Sequence, residues 1–318
     1  MAQSWYSVID KELDSVDAVM RKEVRSAYPE LNDMCEATLS SQYHKVRPAL
    51  CILTYYANGG KDSDVAVSMA SCYESVFDGL HLHDRIDGDG KVIGEKKKLF
   101  SKTPSTTKVI VAGDFMYMMG FRLAYGRVPV IVPYLMKATS SISDAIFKLV
   151  NHMRDVEVTE EDCLDILVRK GAIEFQIVME SAAKLAEGDE EAVTRMSQCG
   201  KLLGMAIQLS YDIHDITGSP DGKKPSMVTL TTGFPTLPLY YAMKDPKIGE
   251  RIKSLFSNKE PSDKDAIAAS LMIKETDVVP RCKALIADYS SRAREILALL
   301  PDSEYKTALV KFSENLTL

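Results

Sequence analysis

Two short acidic segments carry the chemistry that residue type and spacing make readable. The first is His81-Leu82-His83-Asp84-Arg85-Ile86-Asp87, followed by Gly88-Asp89; the second is Gln208-Leu209-Ser210-Tyr211-Asp212-Ile213-His214-Asp215. In each, two aspartates stand at i and i+3, which puts both carboxylates on one face of a helix. Facing each other across a bundle, Asp84, Asp87, Asp212 and Asp215 would make a hard-oxygen site suited to Mg²⁺ with bound phosphate. A single Asp-x-x-Asp is most often a solvated helix face; the matching contexts of the pair raise the metal reading. His83-Asp84 and His214-Asp215 are also His-Asp dyads, so a metal-dependent phosphohydrolase is a further reading. Against it, adjacent helix residues diverge by about 100°.

The elements that position these segments read as helices. Trp5, Ile9, Leu13, Val16, Met20 and Val24 form one amphipathic stripe. Asp62 or Ser63 caps a helix running to Asp84, and Val109–Tyr125 is a methionine-rich buried helix. Ser141–Arg154, Glu160–Leu185, Glu190–Thr217 and Arg281–Leu299 are further helices, with irregular loops at 88–108 and 217–238. No alternating strand bounded by hairpin signals occurs. The expectation is a single all-α domain over residues 1–318, with 46% apolar residues to build its core. Thirty-nine basic against 45 acidic residues give a net charge of −6, which argues against nucleic acid as a partner. No run approaches the ~20 apolar residues of a transmembrane segment, and the N-terminus has no secretory pattern. Six scattered cysteines without C-x-x-C read as reduced thiols of a cytoplasmic protein.

Several segments together carry a family resemblance. Gly200–Gly218, GKLLGMAIQLSYDIHDITG, is similar to G-x-x-x-G-x-x-F-Q-x-x-D-D-x-x-D. His44-Lys45-Val46-Arg47-Pro48 resembles the end of G-G-K-R-x-R-P, and His83-Asp84 the start of D-D-x-x-D. Ala112-Gly113-Asp114, Lys170 and Gly222-Lys223-Lys224-Pro225 follow in the expected order, so the likeness runs from about Ser40 to Tyr241. The chain thus resembles the trans-isoprenyl diphosphate synthases. The resemblance implies an isoprenoid synthase bundle of long antiparallel helices around a central cavity, and a prenyltransferase of isoprenoid biosynthesis acting on allylic diphosphates. It also implies Mg²⁺ at Asp84, Asp87, Asp212 and Asp215, with Asp84, Asp212 and Lys170 catalytic. Lys45, Arg47, Arg85, Lys97, Gln208, Lys223 and Lys224 are then the substrate-binding candidates, and the helix Gly113–Tyr125 belongs to a dimer interface.

The departures from the pattern are concentrated in both motifs. Arg85 and Gly88 replace the second and third aspartates of the first, and Tyr211 the first aspartate of the second. Gly94-Glu95-Lys96-Lys97-Lys98 stands where the family has R-R-G-x-P, and lysine does not reproduce arginine's forked grip on phosphate. Of the direct contacts to isopentenyl diphosphate, Arg47 and more loosely Lys45 survive. The expectation is a divergent subunit, a homodimer or a heteromer with a more complete homologous chain. The alternative is a single-substrate class I terpene cyclase-like enzyme on the same fold. Phe77 and Leu80, on the helix face below Asp84, would floor a product tunnel early, whereas Gly79 leaves room.

Overall fold

A computed structural model describes residues 5–40, 45–93, 104–218 and 225–316. In chain order its α-helices are α1 (Asp10–Glu23), α2 (Pro29–Leu39), α3 (Val46–Ala57), α4 (Ser63–His83), α5 (Thr106–Arg127) and α6 (Val132–Asn151). α7 (Glu160–Ile166) passes through a widened turn, Leu167–Ala172, into α8 (Ile173–Leu185). Then come α9 (Glu190–Thr217), α10 (Val228–Thr232), α11 (Leu237–Lys244), α12 (Gly249–Phe256), α13 (Asp263–Lys274), α14 (Val278–Ala298) and α15 (Glu304–Asn315). Among the described residues there is no strand, only an isolated antiparallel bridge between Ile86 and Val92.

Local chemistry accounts for the helix starts. The Asp62 side chain accepts the N–H groups of Asp64 and Val65, capping α4. Thr159 and Asp162 form a capping box at α7, as Ser262 and Asp265 do at α13. α6 begins nine residues before the expected Ser141, at Val132, because Pro133 falls in its first turn, where a missing N–H costs nothing. α10 and the start of α11 interrupt the stretch expected as a loop over 217–238.

The chain forms two compact units. The first comprises Met1–Lys137, Ile177–Gln198 and Ile296–Phe312; the second comprises Ala138–Gln176, Cys199–Glu295 and Ser313–Leu318. In the first, α4 is the central helix, with 15 of its 21 residues buried. Tyr73 and Phe77 stack on it with ring centroids 5.9 Å apart, and the Tyr73 hydroxyl donates to Ser181 Oγ at 2.7 Å. α4 and α5 approach backbone to backbone: a Cβ on Gly79 would lie 2.6 Å from Gly113 O and 2.7 Å from Tyr117 N. The space beside Gly79 is therefore filled by α5 and leaves no room for a product. All six cysteines are free and buried, and no described helix is long and apolar enough to cross a membrane.

The α4–α5 contact gives a direct test. Alanine normally exceeds glycine by ~1 kcal/mol inside a helix, yet Gly79→Ala lowers the unfolding free energy by ~1–3 kcal/mol through overpacking. Gly126→Ala on α5, where a Cβ meets nothing within 4 Å, is neutral or stabilising. Equilibrium denaturation of both variants checks the contrast.

Candidate active site

In the second unit the site begins with how closely two helices pack. The widened turn Leu167–Ala172 is a π-type turn, in which the N–H of Ile173 reaches the carbonyl of Val168. Such turns are rare and recur at functional sites. It places Gly171 and Ala172 against α9: a Cβ on Gly171 would lie 2.7 Å from Gln208 Cγ, and one on Gly204 would lie 2.7 Å from Ala172 Cα. Gly200 meets the carbonyl of Phe175 in the same way. The closeness brings Lys170, Gln208 and Asp212 to one cleft, walled on its other side by Thr229, Phe234 and Pro235.

Gln208 and Asp212 sit one turn apart, and Gln208 Nε2 donates to Asp212 Oδ1 at 2.9 Å. Burial pushes the Asp212 carboxyl up to about 7; Gln208 opposes the rise, Asp215 adds to it and Lys170 opposes it. Asp215 is engaged differently. Its Oδ1 accepts from Ser226 Oγ at 2.6 Å and Val228 N at 2.8 Å, and its Oδ2 from Thr229 N at 3.1 Å and Thr229 Oγ1 at 2.7 Å. It thus caps α10 from a distance in sequence, a role that nothing in its own neighbourhood announces.

In the first unit α4 ends at His83, so the expected shared helix face of Asp84 and Asp87 does not form. Asp84 is the residue that closes the helix. Asp87 lies in a turn that the Ile86–Val92 bridge closes, and its Oδ1 accepts the N–H groups of Asp89 at 3.0 Å and Lys91 at 2.8 Å. Gly88-Asp89-Gly90 is a turn signal that overrides the helical spacing. His83 Nε2 is 3.1 Å from the Ile110 carbonyl oxygen and 3.3 Å from Asp114 Oδ1. Arg85 is half-buried, burial pushes its guanidinium below the usual arginine range, and among the described residues it makes no ion pair.

Arg47 is the opposite case. Only 7% exposed, it donates from Nε to Glu74 Oε2 and from Nη2 to Asp78 Oδ1, both at 2.8 Å. Its Nη1 lies 3.4 Å from His81 Nδ1, and its guanidinium lies over Phe77, 5.8 Å from the ring centroid. Glu74, Asp78 and His81 recur along one face of α4, a readable stripe of charge in a buried helix. Lys45 is exposed, 5.8 Å from the Tyr6 ring centroid. Lys97, Lys223 and Lys224 lie outside the described residues.

Residues 28–273 match the polyprenyl synthetase family model. The chain is 22% identical to octaprenyl diphosphate synthase of Haemophilus influenzae, over 96% of this chain and 93% of that protein. It is 23% identical to heptaprenyl diphosphate synthase component 2 of Geobacillus stearothermophilus, over 96% and 95% respectively. In fold it is similar to the crystal structure of a polyprenyl synthase from Caulobacter crescentus complexed with calcium and isoprenyl diphosphate. The TM-score is 0.85 and the identity 20%, with 98% of this chain and 96% of that one covered. The chain belongs to the polyprenyl synthetase family: it has the all-α isoprenoid synthase fold and is a prenyltransferase of isoprenoid biosynthesis.

Two predictions follow from the two sets of buried charges. The Asp212 carboxyl titrates at 3.8 when unfolded and at about 7 when folded. Its contribution to stability is therefore full below about pH 4 and lost as pH rises through 7. In metal-free buffer Asp212→Asn flattens this dependence, and its melting temperature rises relative to the parent chain between pH 5 and 8. Thermal melts across that range in EDTA test it. Arg47→Ala leaves Glu74 and Asp78 buried without their cation and costs ~3–5 kcal/mol of stability, measurable by urea denaturation.

Proposed function

We propose that the chain is a divergent prenyltransferase subunit that binds an allylic diphosphate and elongates it only together with a more complete homologous chain. The observation that carries this is the state of Arg47. By resemblance it is the principal surviving contact to isopentenyl diphosphate, yet two buried carboxylates offset its charge. A guanidinium so engaged offers little attraction to a second diphosphate.

The allylic side retains more. Arg85 is a desolvated cation without an ion pair among the described residues, suited to an incoming diphosphate. Lys170 shares its cleft with Gln208 and Asp212. Among the described residues no three His, Cys, Asp or Glu side chains could together hold a metal ion. Mg²⁺ is usually held by one or two carboxylates together with substrate phosphates, with water completing the shell. Asp84 and Asp87 are the proposed ligands within the first unit, and Asp212 is the proposed ligand of a separate ion within the second; Asp87 Oδ2 takes no hydrogen bond among the described residues. When bound, Mg²⁺ would offset charge on the departing diphosphate.

Two observations support a second chain. The relative from Geobacillus stearothermophilus is named as one component of its synthase. Large apolar side chains also stand exposed along α5, with Met118 60% and Tyr125 81% accessible. The family match spans parts of both units, which supports one catalytic domain, and six buried free cysteines suit the cytoplasm.

The test is a product assay on the purified chain with Mg²⁺ and labelled geranyl, farnesyl or geranylgeranyl diphosphate, each with and without isopentenyl diphosphate. The expected result is Mg²⁺-dependent binding of the allylic substrate and no elongation until a homologous synthase chain is added. Elongated products from the chain alone overturn the subunit reading. Hydrocarbon or alcohol released without isopentenyl diphosphate favours the terpene cyclase reading instead.

A further inference from the structure

The short helix α10 is suspended between two side chains remote in sequence. At its start Met227 occupies the left-handed region, with φ of 49°, and provides no side-chain cap. Left-handed backbone is uncommon for a residue other than glycine and persists where the surroundings impose it. What imposes it is Asp215. Its carbonyl oxygen accepts the N–H groups of Ser226 and Met227 at 3.1 and 3.0 Å, and its carboxylate accepts the four further bonds to Ser226, Val228 and Thr229. At the other end Gly233, with φ of 77°, lies against Arg154. The Arg154 N–H donates to the Gly233 carbonyl at 2.7 Å, and Nη2 donates to the Thr231 carbonyl at 2.8 Å. Its Nη1 reaches the carbonyls of Phe256, at 3.1 Å, and Asn258.

The suspended segment is the wall of the cleft. Thr229, Phe234 and Pro235 face the space that Lys170, Gln208 and Asp212 line. We infer that Asp215 and Arg154 are positioning residues, which act on the reaction by holding α10 and the following wall against this cleft, and that Asp215 is not a metal ligand in this chain. All four of its carboxylate hydrogen bonds come from the segment it holds, so ligating a cation would compete with the cap. The inference rests on the proposed reading only in taking this cleft as a place where the allylic diphosphate binds.

Three variants of the full chain separate positioning from ligation: Asp215→Ala, Asp215→Asn and Arg154→Lys. The readouts are amide hydrogen exchange over residues 226–233, the Mn²⁺ dissociation constant by paramagnetic resonance, and the dissociation constant for geranyl thiolodiphosphate with Mg²⁺. Expected is exchange about tenfold faster or more in Asp215→Ala and in Arg154→Lys, as loss of charge-assisted hydrogen bonds gives. Asp215→Asn is milder, because its amide oxygen still accepts from Ser226 and Val228. Affinity for the thiolodiphosphate falls in the same order, while Mn²⁺ affinity changes by less than about twofold. Mn²⁺ binding lost in both Asp215 variants but kept in Arg154→Lys overturns the inference and makes Asp215 a ligand. Faster exchange with unchanged thiolodiphosphate affinity also overturns it, reducing the cap to a structural one, as does unchanged exchange. Should Asp215→Ala fail to fold, Arg154→Lys and Asp215→Asn still decide. A parent chain that does not bind the thiolodiphosphate fails the proposed function, while the exchange and Mn²⁺ readouts still judge the positioning claim.

Discussion

The close approach of the widened turn at 167–172 to α9 is the constraint on which the second unit's cleft depends. Gly171 and Ala172 meet Gln208 and Gly204 at distances that leave no place for a larger side chain. Any side chain there would push α9 outward and carry Gln208 and Asp212 away from Lys170. The depth of Asp212 follows from the same closeness, and its depth raises its pKa. Packing and acid–base character thus have one cause. Polar chemistry is installed here by removing side chains from the neighbouring helix.

The two arginines of the first unit illustrate how burial alone does not decide what a charge can do. Arg47 is deeply placed and satisfied; Glu74 and Asp78 were carried into the core with it, and the trio behaves as a structural unit. Arg85 is only half-buried, yet no carboxylate among the described residues meets it. The first is costly to disturb and poor at binding. The second carries a standing desolvation cost that an arriving anion would relieve.

Much of this was legible in the residues. The apolar stripe announced α1, the capping Asp62 announced α4 and the methionine-rich run announced α5, whereas Gly200-x-x-x-Gly204 matched a family motif by type and only the fold showed it as the face where α9 packs closely. What escaped depended on partners distant in the chain. The Asp84–Asp87 spacing looked helical because periodicity counts residues, while the turn at Gly88–Gly90 is set by Asp87 accepting from Asp89 and Lys91. α10 carries no cap of its own, since its cap comes from Asp215 on another helix. Arg47 matched a substrate-binding pattern by type, and only the fold revealed that Glu74 and Asp78 had claimed it. Helices α2, α3, α11, α12, α13 and α15 were not read as separate elements, several being short pieces whose apolar faces complete a core built largely by others.

The widened turn has a consequence for how this chain is compared with others. A turn closed between residues five apart holds one residue more than a regular one, so α7 and α8 are a single helix carrying a one-residue insertion. Deleting Ala172 would restore regular winding and rotate α7, and Lys170 with it, relative to α8 by about 100°. Lys170 would then turn out of the cleft it lines with Gln208 and Asp212, though composition and hydrophobic pattern would hardly change. A gap of one residue here, negligible in an alignment score, is therefore the difference between a lysine in the cleft and one beside it.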